Sequence, residues 1–159
     1  MSARLATWLI DERVLPEATV QAAAARQLVY GGALDTAILE MGAMTEAAIW
    51  GRLSAATGLP VPAPALCDGK LAETPASLDA RRTGPLRAVP VATEAGTLKL
   101  LCAEPVATDE IRAAAAESGF AARLYVVPEV RLLAARQRVY FSNDVRNGRA
   151  TFGDCPGIG

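Results

Sequence analysis

The sequence predicts an α+β fold in two parts, a helical repeat subdomain over residues 1–59 and a small α/β subdomain over residues 60–141 in the order β-β-α-β-α. Three observations predict it. Between Arg4 and Ala56 one apolar pattern occurs twice at a constant offset: Leu5 matches Leu34, Leu9 matches Ile38, Ile10 matches Leu39, Leu15 matches Met44, Val20 matches Ile49 and Ala24 matches Leu53. Self-similarity at about thirty residues marks one supersecondary unit used twice, each copy too small to bury its own apolar face, so the copies are expected to pack on each other. Beyond Pro60 the period changes, with β-type runs at Leu86–Ala92 and Thr97–Ala103 around the turn Glu94-Ala95-Gly96. Finally, 159 residues with 52% apolar content can bury a substantial core.

The four helices of the repeat, two copies of a helix-turn-helix unit, follow from period and punctuation. Ser2 can cap a first helix with Leu5, Leu9 and Ile10 on one face, Trp8 covering its edge and Asp11-Glu12-Arg13 closing it toward solvent. Pro16 and Glu17 suit a new helix start, and Val20, Ala23, Ala24, Gln27 and Leu28 then recur at helical spacing as its inward face. Gly31-Gly32 ends that helix. The second copy places Leu34, Ile38 and Met41 inward, stops at Gly42, restarts at Thr45-Glu46 and carries Ile49, Leu53 and Ala56 inward before Gly58-Leu59-Pro60.

The prolines of Pro60–Leu66 predict an extended crossover, and Pro75–Arg82 a short helix. Pro90 cannot donate to a ladder, so its strand belongs at an edge or is locally interrupted. A helix over Asp109–Ser118 with Ile111, Ala114 and Ala115 inward precedes a third strand at Ala122–Val127, and Pro128 opens a last helix to about Tyr140. Residues 142–159 are expected to lack a core of their own.

Composition excludes several classes of function. The formal charge is -1 with no basic stripe, which argues against nucleic acid. The chain has no histidine, so Ser-His-Asp and Cys-His catalysis and the usual zinc sites are excluded, and Cys67, Cys102 and Cys155 show no CxxC spacing. There is no GxxxxGK[ST] phosphate loop. Asp11-Glu12 and Asp109-Glu110 are read as solvated acids at helix ends. No apolar run is long enough for a signal peptide or membrane span, so no direct membrane insertion is expected and the cysteines read as reduced thiols of a cytoplasmic protein. Arg81-Arg82 and Arg131–Arg138 read as solvated basic faces or as docking faces for an acidic partner, and Met41, Met44 and Trp50 as core or as an adaptable contact surface.

In its repeat the chain resembles the N-terminal domain of the type II secretion and type IV pilus assembly ATPases, the GspE/PilB/MshE N-terminal domain family. That family carries a motif Arg-Leu-Gly-x-x-Leu-Val-x-x-Gly-x-Ile-x-x-x-x-Leu-x-x-Ala-Leu-x-x-Gln twice. Arg4–Gln27, the spacer Leu28–Gly32 and Ala33–Ala56 reproduce its length and register, and Gly58-Leu59-Pro60, Ala103-Glu104-Pro105 and Val127-Pro128-Glu129 are similar to the family's later segments. Its ATPase part has no counterpart in these residues.

The resemblance implies a non-catalytic protein-docking or regulatory module of a secretion or pilus apparatus. Implied partners are protein components of that machine, its membrane platform or ATPase among them, with cytoplasmic placement peripheral to the inner membrane through a partner. It also implies an alternative, a cyclic di-GMP sensor, for which the matching positions are Arg4, Leu5, Gln27, Leu34 and Gly42. A guanidinium offers a planar fork and glycine an open backbone, which is why the motif uses them. Here Ala6 and Arg13 replace both glycines of the first copy, and Ala33, Asp35 and Ala56 replace arginine, glycine and glutamine in the second. A carboxylate at Asp35 would repel a dianionic ligand. No cofactor is otherwise expected.

Overall fold

A computed structural model describes residues 3–141. The expected cap at Ser2 and the tail at 142–159 lie outside the described residues. Helices α1 (Ala3–Asp11), α2 (Glu17–Tyr30), α3 (Leu34–Glu40) and α4 (Glu46–Thr57) form the repeat. Helices α2, α3 and α4 are each followed by a glycine at positive φ, Gly31 at 74°, Gly42 at 67° and Gly58 at 72°, whereas α1 is followed by Arg13 at φ 53°. Thr45 caps α4 by accepting from the Ala48 N–H at 3.3 Å. The copies pack on each other as the repeat requires, α1 against α4 and α2 against α3. Leu5, Leu9, Val20, Ala23, Leu34, Ala37, Ile38, Ile49 and Leu53 share one buried cluster, with Trp8, Met44 and Trp50 packed at its margin.

Two side chains of the predicted stripes point elsewhere. Leu28 is 84% exposed, because it lies off the centre of the stripe set by Val20 and Ala23 and projects from the last turn of α2. Met41 is 38% exposed because α3 ends at Glu40, which puts Met41 in the turn.

The crossover is extended through Ala63 and then forms a short helix, α5 (Pro64–Cys67), with proline in its first turn. The single helix expected over Pro75–Arg82 is instead a 3₁₀ turn at Ala76–Leu78 followed by α6 (Ala80–Leu86). Asp79 separates them, since its side chain accepts the Arg81 and Arg82 N–H groups and caps α6. Helix α6 consumes Leu86, so β1 runs Ala88–Glu94 rather than starting at Leu86, and Arg87 makes the corner at φ 52°.

Strand β1 pairs antiparallel with β2 (Thr97–Cys102), and β2 pairs parallel with β3 (Ala121–Val126), in the order β1-β2-β3. Ala95 and Gly96 both have positive φ, 48° and 78°, the signature of a two-residue hairpin turn matched to strand twist. Pro90 satisfies both alternatives for it: β1 is an edge strand, and its register shifts between Pro90 and Ala92. Helix α7 (Thr108–Glu117) packs Ile111, Ala114 and Ala115 on the sheet face carrying Leu98, Leu100 and Leu124. Helix α8 (Glu129–Arg136), followed by a π turn at Gln137–Phe141, packs Leu132, Ala135 and Val139 on Val89, Val91 and Leu101 of the other face. Val126 belongs to the core of the helical repeat, and its N–H bonds the Pro60 carbonyl at 3.0 Å. The third strand therefore joins the two parts.

Arginines read from sequence as basic faces are mostly tethers. Arg136 donates to the Thr83 hydroxyl and the Ala80 carbonyl, and Arg138 to the Cys67 and Gly69 carbonyls. Arg82 pairs with Glu117, and Arg131 with Glu46. Such exposed pairs contribute about 0–1 kcal/mol each.

Candidate functional site

Because β2 and β3 are parallel, their C-terminal ends leave the sheet on the same side, and each is followed within two or three residues by an acid: Glu104 after Cys102 and Glu129 after Val126. Both carboxylates reach the N-terminus of the first helix in a repeat copy. Glu129 Oε1 accepts from the Ala33 N–H at 2.9 Å and the Thr36 hydroxyl at 2.8 Å, at the start of α3. The Leu5 N–H, in the first turn of α1, approaches the Glu104 carboxylate and favours its charged form without completing a hydrogen bond. Helix N-termini carry unsatisfied N–H groups and partial positive charge, so acids belong there.

The contact at α3 is reciprocal. Asp35 Oδ2 accepts the Glu129 N–H at 2.8 Å, so each helix is capped by an acid at the start of the other. Arg87, swung inward by its left-handed backbone, donates to Glu129 Oε2 at 2.9 Å and to the Glu104 carbonyl at 3.2 Å. Asp35, Glu104 and Glu129 are 1%, 2% and 7% exposed. Burial opposes ionisation of Glu129, yet the donors Ala33, Thr36 and Arg87 outweigh it and hold its carboxyl below the ordinary value. Burial pushes the Asp35 and Glu104 carboxyls up. Asp35 Oδ1, both Glu104 side-chain oxygens and Arg87 Nε have no hydrogen-bond partner among the described residues.

The residues matched by resemblance are dispersed around this junction. Arg4 is exposed and lines a recess of about 210 Å³ with Thr57, Leu59, Glu104, Pro105, Val106 and Thr108. Gln27 turns its amide onto the Gly32 carbonyl at 3.0 Å. Leu5 and Leu34 are core residues, 0% and 1% exposed. Gly42 lies past the C-terminal end of α3, opposite the end where Leu34 sits, and a Cβ there would meet nothing within 4 Å. Asp35 faces α8. Sequence reasoning missed Arg87, Glu104 and Glu129 as a group; the available signal was an acid beside a proline directly after each of two apolar strands, Glu104-Pro105 and Pro128-Glu129.

The thiols offer no nucleophile among the described residues. Burial raises the Cys67 pKa, helped by the Asp68 charge, and pushes Cys102 up to about 12. Among the described residues no group of three His, Cys, Asp or Glu is placed to hold a metal ion, and no helix is long and apolar enough to cross a membrane. Among the described residues an apolar run is also exposed: Leu28, Val29 and Tyr30, consecutive at the end of α2, are 84%, 73% and 72% exposed.

No family model and no curated protein matches this sequence. Solved structures do match in fold. MshE solved with cyclic di-GMP aligns with a TM-score of 0.58 at 20% identity, over 86% of this chain and 98% of that one. The N-terminal domain of XpsE aligns in two crystal forms, with a TM-score of 0.60 at 22% identity over 87% and 94% of the two chains, and 0.50 at 24% over 87% and 95%. The fold of this chain therefore matches that of a GspE/MshE-type N-terminal domain.

Proposed function

We propose that this chain is a non-catalytic protein-docking or regulatory module of a type II secretion or type IV pilus-like machine, organised as a helical repeat at 1–59 and an α/β part at 60–141. The observation that carries it is the exposed run Leu28-Val29-Tyr30. Single exposed apolar residues need no explanation, but three in succession turn apolar surface to solvent over most of the last turn of α2, which is the kind of surface partners cover. Arg26 stacks over the Tyr30 ring at 4.8 Å and pairs with Glu40, which orders the patch. The likeness to XpsE and MshE supports the machine context, and the partner then is a protein component of that machine, its membrane platform or ATPase, met on the cytoplasmic side of the inner membrane. The test is co-purification from the native host of the wild-type chain and of a Leu28→Ser, Val29→Ser, Tyr30→Ser variant. Folding stability should change little, because exposed substitutions usually stay within about 0.5 kcal/mol each. Capture of the machine component should fall at least about tenfold, since a buried interface anchor contributes more than about 1 kcal/mol. Undiminished capture by the variant would sink the docking reading.

A second reading has one observation in its favour: MshE was solved with cyclic di-GMP. In this chain the site would use Arg4, Leu5, Gln27, Leu34 and Gly42. Arg4 is free to reach a ligand, whereas the Leu5 and Leu34 side chains are enclosed and the Gln27 amide is engaged. Calorimetric titration with cyclic di-GMP is expected to give no heat. Binding that Arg4→Ala weakens would replace the docking reading with a sensor.

A further inference from the structure

Three buried carboxylates, Asp35, Glu104 and Glu129, meet where the helical repeat joins the α/β part, and Arg87 is the cation placed among them. Arg87 spends its charge on Glu129 and a further N–H on the Glu104 carbonyl. That leaves Asp35 Oδ1 and both Glu104 carboxylate oxygens buried without a hydrogen-bond donor among the described residues. We propose that this junction is a proton-operated latch: Asp35 and Glu104 hold protons while the helical repeat is closed on the sheet, and loss of those protons loosens it.

The charge count compels this. A buried ionised carboxylate without adequate partners is costly enough that the group neutralises instead. Glu129 is the acid with adequate partners, since Ala33, Thr36 and Arg87 all donate to it. Ionising Asp35 would set a second charge against Glu129, and ionising Glu104 would set a third against Asp35. The groups that oppose this are few. The Glu129 N–H and Asp35's own N–H favour the ionised form of Asp35, the Leu5 N–H and the positive charge of the amino terminus favour that of Glu104, Arg87 faces both acids, and Arg4 lines the recess beside Glu104. Burial is the largest influence on both acids and keeps their pKa values above the ordinary range.

The signs differ within the cluster. Asp35 and Glu104 are raised in the folded chain, so the stability linked to them is fully present below the unfolded values and is lost as pH rises through the folded ones. Glu129 is lowered, so its contribution is present above its unfolded value and is lost as pH falls through its folded one. The latch is tightest around the ordinary carboxylate range, where neither contribution has yet been lost.

Two measurements on the full chain test it: a carboxyl-carbon NMR titration of the wild type, and urea unfolding from about pH 5 to about pH 9 of the wild type, Glu104→Gln and Asp35→Asn. Two carboxyls should titrate above the ordinary carboxylate range, one of them disappearing in each variant. Between the ordinary carboxylate range and the raised values the wild-type folding equilibrium should fall about tenfold per pH unit for each proton that the folded chain retains, levelling off above them, and each amide variant should remove one proton's share of that slope. The absence of any side-chain carboxyl titrating above the ordinary range would overturn the proposal, as would a wild-type slope that persists undiminished in both variants. Should either variant fail to fold, the wild-type titration decides alone.

Discussion

Glu129→Ala is expected to lower folding stability by about 3 kcal/mol or more, read as the shift in urea unfolding free energy at neutral pH. The side chain serves three donors from two segments: the Ala33 N–H and Thr36 hydroxyl at the start of α3, and Arg87 ahead of β1. Removing it strands all three in a place where Glu129 itself is only 7% exposed. A buried donor left without an acceptor costs about 1–3 kcal/mol, and a charged one costs more. One effect runs the other way, because Arg87 is then available to the unpartnered oxygens of Asp35 and Glu104. That compensation is partial, since Arg87 cannot restore the cap on Ala33 at the start of α3. Glu129→Gln separates charge from geometry. The amide oxygen can still accept from Ala33 and Thr36, but its NH₂ would confront the Arg87 guanidinium, so a smaller loss, about 1–2 kcal/mol, is expected. Equal losses in the two variants would mean that Arg87 pairing, and not the cap, holds the junction. A loss below about 1 kcal/mol in Glu129→Ala would show that the junction adds little to folding.

Ile38→Ala and Leu9→Ala, one at each equivalent position of the repeat, should each cost about 2–5 kcal/mol in the same assay. Both side chains are 0% exposed and belong to the one cluster that the two copies build together. A cavity in either copy is therefore a cavity in the shared core. Against a total stability on the order of 5–15 kcal/mol, either change removes a large fraction. Leu28→Ala is the contrast, with an effect within about 0.5 kcal/mol, because that leucine is 84% exposed despite its place in the predicted stripe. If Ile38→Ala were tolerated while Leu9→Ala was not, the copies would not be sharing one core.

The repeat was legible for a plain reason. Glycines at 31, 42 and 58 punctuate helices whose apolar residues recur at helical period, and both signals are local. The same holds for Pro90 and for the Glu94-Ala95-Gly96 turn, where one residue's backbone chemistry decides the outcome. Legibility failed where local preferences compete or where a boundary is set by a side chain reaching back. Asp79 divides the region read as one helix, because a capping carboxylate starts a new helix where apolar spacing alone shows continuity. Leu28 and Met41 failed because period neither centres the buried stripe closely enough to exclude Leu28 at its margin nor marks the end of α3, which leaves Met41 in the turn.

By itself, then, the sequence determined the α+β class, the doubled helical unit, the β-β-α-β-α succession of elements and the lack of histidine, all of which depend on period, punctuation and composition. The junction was decided only in three dimensions. Asp35 reads from sequence as a carboxylate repelling an anionic ligand, yet it is buried and holds the N–H of Glu129, ninety-four positions along the chain. Ala33 and Thr36 meet Glu129, and Arg87 stands among three acids, because parallel strands deliver Glu104 and Glu129 to one side of the sheet. No local signal encodes those distances, since capping and charge pairing depend on which chain ends the packed cores bring together.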